Sequence, residues 1–157
     1  MQHWRVCSAK YASTALSGEG AFRYGGRWNS VGKRVVYVGP SVSAAALEIL
    51  VHAGSVTNKY AAIRIDLPRR FLSELDMSGA PVDWQRRGMW CRQQGDQWFD
   101  SGASAGLIVP SAVLGTEVPE RNVVLNVEHK DFVKIATTAI PPIDLWLDER
   151  LGPPTIA

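Results

Sequence analysis

Short runs of β-branched and apolar residues, separated by turn residues, recur along this chain and set the class of fold it can adopt. Runs of this length and composition are typical of strands, and few helical segments lie between them. The pattern therefore predicts an α+β fold, a single compact domain with a mixed or antiparallel sheet core and flanking helices. The predicted strands are residues 4–7, 34–38, 60–67, 107–109, 123–125 and 132–135.

Two segments predict helices. Residues 44–53 are rich in Ala and Leu, follow Ser41 and Ser43, which are both good N-cap residues, and stop at Gly54. The polar, Trp-bearing residues 84–101 predict a second segment that is mostly helical.

Glycines punctuate the first part of the chain. Residues 17–20, Ser-Gly-Glu-Gly, predict a loop at the rim of a pocket. The glycine-rich residues 24–29 lead through Gly32 into the strand at 34–38, which predicts a hairpin.

The length of 157 residues predicts one domain over residues 1–151, with a flexible tail at 152–157. The sequence has no apolar run long enough to cross a membrane and no signal-peptide pattern at its start, so we expect a cytoplasmic protein. Cys7 and Cys91 share no ligand-like spacing with each other or with histidines, which predicts buried thiols and no metal site. A net charge of +2 without long basic runs does not mark a nucleic-acid surface, and an anionic small molecule fits equally well.

Glu48 is the only residue formally charged at neutral pH between Val35 and Asn58. It lies among apolar residues of the first predicted helix. Because burying an isolated carboxylate is costly, Glu48 either faces a pocket, pairs with His52 at i+4, or lies on the solvent side of the helix.

Arg27 follows two glycines and precedes Trp28 and Asn29. Glycines let the backbone approach a ligand, and a guanidinium can hold a phosphate through two hydrogen bonds, so this position suits an anion site. The alternative is a turn residue paired with a surface carboxylate. The glycines match neither a Walker loop nor the dinucleotide fingerprint, which makes a Rossmann enzyme improbable.

Four other residues could enter a site near the ends of predicted strands. Tyr37 precedes the Glu48 helix and either faces the cleft or is one more core aromatic. Ser111 ends a strand without a nucleophile elbow around it, which disfavours a serine hydrolase. Asn122 and Asn126 flank a strand, where amides more often satisfy loop backbone than bind a ligand.

Taken together, several short motifs in this order and spacing resemble the RES domain family, which is named for an Arg, a Glu and a Ser. Those residues fall here on Arg27, Glu48 and Ser111. Val127 departs from the family, which often has Pro there, and residues 77–100 carry no matching motif. The motifs are Trp4-Arg5-Val6, Gly26-Arg27-Trp28-Asn29, Val36-Tyr37, residues 46–52, Asp66-Leu67-Pro68, residues 109–112 and residues 122–129.

The resemblance implies a fold similar to ADP-ribosyltransferase toxins, with NAD as substrate and no further cofactor. It also implies an Xre-type helix-turn-helix antitoxin as partner, nucleic acid contacted only through that antitoxin, no membrane contact, and a homodimer. Nicotinamide in NAD is already a cationic leaving group, so one carboxylate can suffice for cleavage of its bond to ribose.

The roles implied for individual residues follow from that reaction. Glu48 would stabilise the positive charge growing on the ribose, while Arg27 would hold the diphosphate. Tyr37 would stack on nicotinamide, and Ser111 would hydrogen-bond the substrate or position Glu48. Further predicted contacts to NAD are Arg5, Trp28, Asn122 and Asn126.

Three questions stay open at this point. The acceptor of ADP-ribose can be water, phosphate or a protein, because all share the same bond-breaking step. The chain could instead be an RNA-binding or ribonuclease toxin, with tryptophans as stacking platforms for bases and arginines along the phosphates. It could also be an interaction module without activity. The residues of the RNA alternative are Trp28, Trp90, Trp98, Arg86, Arg87 and Arg92.

Overall fold

The computed structural model describes residues 1–52, 59–115 and 117–151, and within them the chain forms two small sheets with helices around them. Ala53 and Gly54, where the first predicted helix should end, lie outside the described residues, as does the predicted tail at 152–157. The strands are β1 (Gln2–Ser8), β2 (Val35–Val38), β3 (Tyr60–Asp66), β4 (Leu72–Glu74), β5 (Gly106–Pro110), β6 (Arg121–Asn126) and β7 (Ile143–Leu145). The α-helices are α1 (Glu19–Tyr24), α2 (Val42–His52), α3 (Gly88–Ser101) and α4 (Phe132–Ala136).

The first sheet has the strand order β1-β3-β7 and is antiparallel throughout. The second has the order β2-β6-β5-β4, in which only the β4–β5 pairing is parallel. The two sheets meet where Trp4 of β1 bridges Gly39, just after β2. The α+β class and the mixed, largely antiparallel sheet predicted from the sequence are therefore confirmed.

Alternation along the strands gives each sheet two apolar faces. One face of each sheet packs between the sheets, and the buried residues there include Val36, Ile65 and Leu125. The outer face of the first sheet is covered by α2 through Ala45 and Ala46. The outer face of the second sheet is covered by a cluster rich in tryptophan, which comprises Val35, Leu107, Val109, Val124, Trp28, Trp84, Trp98 and Cys91.

Helix α2 forms for the reasons that its sequence indicates. The Ser41 hydroxyl accepts a hydrogen bond from the backbone N–H of Ala44 at 3.0 Å, so Ser41 is the N-cap. Ala45 and Ala46 face the sheet, and Gly39 lies so close that a Cβ on it would come within 2.9 Å of the Ala45 backbone nitrogen. This close crossing holds the start of α2 against the end of β2.

Three predictions about local structure are wrong. Residues 132–135 form helix α4, because Phe132 and Ile135 are both buried one helical turn apart while the residues between them are exposed. The predicted hairpin is absent, since β2 pairs with β6 and residues 19–24 are helical. The loop predicted at 17–20 ends early, because α1 begins at Glu19.

Two further predictions, on residues 84–101 and on the cysteines, agree with the structure. Residues 84–101 form a short 3-10 helix, Trp84–Arg86, followed by α3. Cys7 and Cys91 are buried free thiols. Across residues 1–52, 59–115 and 117–151, no helix is long and apolar enough to span a bilayer, and no group of His, Cys, Asp or Glu is arranged to hold a metal ion.

Candidate functional site

The carboxylate of Glu48 is the centre of a polar cluster at the ends of β5 and β6. Its Oε1 accepts a hydrogen bond from the Ser111 hydroxyl at 2.7 Å and another from the Asn122 side-chain amide at 2.8 Å. Within the described part of the chain, no side chain donates a hydrogen bond to Oε2. The structure thus brings together three of the residues singled out in the sequence, and one carboxylate oxygen remains for other partners.

Ser111 is fixed as a donor to Glu48. Its oxygen accepts hydrogen bonds from the backbone N–H groups of Val113 at 3.2 Å and Leu114 at 3.1 Å. Because both lone pairs of the hydroxyl are used in this way, its hydrogen points to the carboxylate. Ser111 therefore orients Glu48 rather than acting as a nucleophile.

The two asparagines of β6 have different environments. Asn122 points its amide at Glu48, whereas the Asn126 side-chain oxygen accepts from the backbone N–H of Glu128 at 2.9 Å. Asn126 is buried and ends its strand, which is the structural role that amides commonly take in turns. The structure gives Asn126 no place beside Glu48. The side chain of His52 is outside the described part, so the predicted pairing of Glu48 with His52 remains a prediction.

Arg27 lies in the loop between α1 and β2, close to the N-terminus of α3. Its Nη1 donates to the backbone carbonyl of Gln85 at 2.9 Å, and within the described residues it forms no ion pair with a carboxylate. Burial raises the pKa of the neighbouring Cys91 thiol, and the Arg27 guanidinium opposes this rise. The alternative of a turn arginine paired with a surface acid is therefore not what the structure shows.

Tyr37 fixes the loop that carries Arg27. Its hydroxyl donates to the Asn29 side-chain oxygen at 2.7 Å and accepts from the backbone N–H of Trp28 at 2.9 Å. The Asn29 amide in turn donates to the carbonyls of Ala21 and Ser30 at 3.0 and 2.9 Å. Burial raises the pKa of Tyr37 well above its usual value, so the phenol stays protonated and keeps donating.

Two of the predicted substrate contacts are engaged within the fold, Trp28 in the core and Arg5 half-buried between two strands. The Trp28 ring is only 3% exposed and packs against Trp84, with ring centroids 5.7 Å apart, so neither of its faces is open to a ligand. Arg5 donates from Nη1 to the Tyr37 backbone carbonyl at 3.3 Å, and its Nε is buried without a hydrogen-bond partner. Burial lowers the pKa of Arg5. Arg5 therefore joins β1 to β2.

The loop of Arg27 and the cluster of Glu48 face the same side of the second sheet. Tyr37 pairs with Val124 of β6. Asn122 lies two residues before Val124 in β6, on the same face by strand alternation. Two residues of antiparallel strand span roughly 7 Å. Strand alternation thus places Tyr37, which holds the Arg27 loop, and Asn122, which holds Glu48, on one face of the second sheet.

Asn29 and Gln85 were not singled out from the sequence. The buried Asn29 amide organises the arginine loop, and an Asn within a glycine-rich turn is the signal that could have indicated this. Gln85 acts through its backbone carbonyl, which carries no sequence signal at all. Of the residues of the RNA alternative, Trp28 and Trp98 are buried and Arg87 is paired with Asp83, whereas Arg86 and Arg92 are exposed, so the alternative stays a prediction.

The fold and the cluster define a small mixed α+β domain with one oriented carboxylate at the strand ends and a guanidinium on the same sheet face. The model of the RES domain matches residues 2–148. The chain belongs to the RES domain family. The sequence resemblance assigns the family's arginine, glutamate and serine to Arg27, Glu48 and Ser111, and this assignment stays a prediction.

Similar proteins agree with this assignment. A protein named Toxin Res from Photorhabdus laumondii is 41% identical over 153 residues, covering 94% of this chain and 95% of that protein. A protein named Prs ADP-ribosylating toxin from a Sphingobium species is 34% identical, covering 82% of this chain and 83% of its own length. A chain in the crystal structure of the M. tuberculosis MbcT–MbcA toxin–antitoxin complex has the same fold, with a TM-score of 0.74 at 22% identity, covering 92% of this chain and 84% of that one.

Proposed function

We propose that this chain is the toxin of a toxin–antitoxin pair and that it breaks the nicotinamide–ribose bond of NAD. The toxin role is supported by relatives named Toxin Res that match over nearly their whole length. ADP-ribose transfer is supported by the relative named as an ADP-ribosylating toxin. The observation that carries the chemistry is the Glu48 carboxylate, held through Oε1 by Ser111 and Asn122.

The oriented carboxylate suits a reaction that develops positive charge. When the C–N bond breaks, its electron pair leaves with nicotinamide, which becomes neutral, and the ribose gains oxocarbenium character. Glu48 Oε2 can accept a hydrogen bond from a ribose hydroxyl and stabilise that charge more in the transition state than in bound NAD. Because Ser111 and Asn122 fix the carboxylate in advance, little reorganisation is needed when the charge appears.

Arg27 supplies the opposite charge for the diphosphate. One of its N–H groups is used by the Gln85 carbonyl, and the others can donate to phosphate oxygens. Tyr37 keeps the arginine loop in place through Trp28 and Asn29, so its part in the reaction is to position Arg27 rather than to stack on nicotinamide.

The bond cleavage leaves ADP-ribose to be captured by an acceptor. Water, inorganic phosphate or a protein side chain adds through its oxygen or nitrogen and releases a proton. We further propose an Xre-type antitoxin that covers the site and a homodimeric toxin, both from the family resemblance. A complex of toxin and antitoxin in the structurally similar M. tuberculosis pair is consistent with the first.

The experiment incubates purified chain with NAD and follows free nicotinamide, while mass spectrometry identifies the ADP-ribosyl product with and without phosphate and cell extract. Glu48→Gln keeps the shape of the side chain and removes its charge, and we expect turnover to fall at least about a hundredfold. Glu128→Gln is the matched control, since Glu128 is exposed beyond the opposite end of β6. Release of nicotinamide at the wild-type rate by folded Glu48→Gln would overturn the proposal.

A further inference from the structure

A small hollow lies beside the loop of Arg27. Its volume is about 300 Å³, and its lining residues are Tyr24, Gly25, Gly26, Ser30, Val31 and Arg92. Both glycines are packed closely against the fold, since a Cβ on Gly25 would come within 3.2 Å of the Asn29 carbonyl oxygen. A Cβ on Gly26 would come within 2.5 Å of the Tyr37 hydroxyl oxygen, so the backbone here is held tightly against Tyr37. The floor of the hollow is therefore fixed.

Two guanidinium groups converge at one end of this hollow. The point where a Cβ on Gly88 would lie is 3.4 Å from Nη1 of Arg92 and 3.9 Å from Nη1 of Arg27. Arg92 is exposed on α3, and within the described residues neither arginine forms an ion pair. Two positive groups held near the same point repel each other until an anion lies between them.

The nearby carboxylates are used elsewhere. Asp96, one turn after Arg92 on α3, accepts the backbone N–H of Ser30 at 2.9 Å. Asp83 accepts from the Arg87 guanidinium at 2.6 Å. The counterion of Arg27 and Arg92 is thus left to a ligand, and two guanidiniums suit adjacent phosphates.

The rim of the hollow offers apolar surface that the fold does not use. Tyr24 is 81% exposed and Val31 is 66% exposed, although large apolar side chains of this kind are often buried. An open aromatic ring next to paired guanidiniums is a suitable platform for a nucleobase, because a base stacks on the ring while its phosphates reach the arginines.

We infer that this hollow is the subsite for the adenosine diphosphate half of NAD, with Arg92 as the second phosphate-binding arginine and Tyr24 as the adenine platform. The inference rests on the proposed function, in which Arg27 holds the diphosphate and Glu48 faces the nicotinamide ribose. The hollow adjoins the Arg27 loop through Gly25 and Gly26, and its Arg92 lies close to Arg27. NAD spans Glu48 and the hollow with its diphosphate at the arginines.

The experiment measures ADP binding by titration calorimetry and steady-state turnover of NAD and of nicotinamide mononucleotide, which lacks the adenosine. Arg92→Gln should weaken ADP binding about tenfold or more and raise KM for NAD similarly, with kcat within about twofold. Tyr24→Ala should weaken ADP binding and raise KM for NAD at least about fivefold, with KM for the mononucleotide unchanged. Lys130→Gln, an exposed charge beyond the other end of β6, is the matched control and should leave ADP binding unchanged.

Two results would overturn the subsite. One is wild-type ADP affinity in Arg92→Gln, or no ADP binding by the wild-type chain. The other is a rise in KM for nicotinamide mononucleotide in Tyr24→Ala as large as that for NAD. If the proposed function is wrong, NAD turnover is absent in the wild type or is unaffected by Glu48→Gln. The titration with ADP does not depend on turnover, so it tests the subsite in that case as well.

Discussion

Gly95 lies in the middle of α3 at the point where the helix crosses the arginine loop. A Cβ on Gly95 would lie 1.8 Å from the Trp28 carbonyl oxygen and 2.7 Å from its carbon, whereas real Cβ contacts essentially never fall under 3.0 Å. The contact is with backbone, so no rotamer change relieves it. The Gly95→Ala variant must therefore move α3 and the loop apart by at least about 1 Å.

Whether Gly95→Ala raises or lowers the free energy of unfolding depends on two opposing contributions, helix propensity and overpacking. Alanine gains about 1 kcal/mol over glycine in a helix interior. Overpacking a tight site usually costs about 1–3 kcal/mol and more when backbone must shift, and here the separation also loosens Trp28 from Trp84. Because a 1.8 Å contact with backbone exceeds ordinary overpacking, we take its cost as about 3–5 kcal/mol. The net loss is then about 2–4 kcal/mol, which lowers Tm by roughly 5–15 °C for a domain of this size.

The assay is thermal unfolding followed by circular dichroism, with Gly20→Ala as the matched control. Gly20 is exposed in α1 and has no atom within 4 Å of its missing Cβ, so alanine there should leave Tm unchanged or raise it slightly. Because the Trp28 carbonyl is next to Arg27, Gly95→Ala should also raise KM for NAD. A Tm for Gly95→Ala at or above that of the wild type would refute the reasoning.

Three further outcomes are expected. Ser111→Ala removes one of two donors to Glu48 and should lower kcat for NAD about ten- to a hundredfold with little change in KM, measured by nicotinamide release; an unchanged kcat contradicts its positioning role. Tyr37→Phe leaves the Asn29 oxygen without its donor and should cost about 1–3 kcal/mol in urea unfolding, an expectation that fails if the midpoint does not move. Hydrogen bonds from the Arg34 and then the Arg23 side chain lower the pKa of Glu19 below 4.5, so the ion pairs of Glu19 stabilise the fold at neutral pH and are lost as the pH falls through that lowered pKa. Tm should therefore drop more between about pH 6 and about pH 3 in the wild type than in Glu19→Gln. Equal drops in Tm would contradict this expectation.

Much of the fold could be predicted because local chemistry and tertiary structure agree. The β-branched runs became strands, and Ser41 caps α2 as its hydroxyl suggested. The strand predicted at residues 132–135 was wrong because a run of four residues is too short to separate a helical period from a strand period. The predicted hairpin was wrong because the pairing of strands depends on residues far apart in the sequence, and the partner of β2 is β6.

Some residues of the candidate site could likewise be predicted from the sequence, whereas the environment of others could not. Glu48 could be singled out because a lone charge in an apolar stretch needs a physical reason, and the structure supplies Ser111 and Asn122. The position of Arg27 could not be worked out, because its partner is a backbone carbonyl that every residue carries. Trp28 was predicted to contact NAD, and its burial could not be foreseen, because its sequence neighbours are polar while its ring packs against residues 56 or more positions away.

The three residues of the carboxylate cluster come from distant parts of the chain, with Glu48 bonded to partners 63 and 74 positions later. A ribosome making this protein has completed most of it before Asn122 leaves the exit tunnel. Under the proposed function, a growing polypeptide that has not yet reached β6 lacks the Asn122 donor to Glu48, and we expect it to be inactive. A product terminated before β6 should be inactive for the same reason.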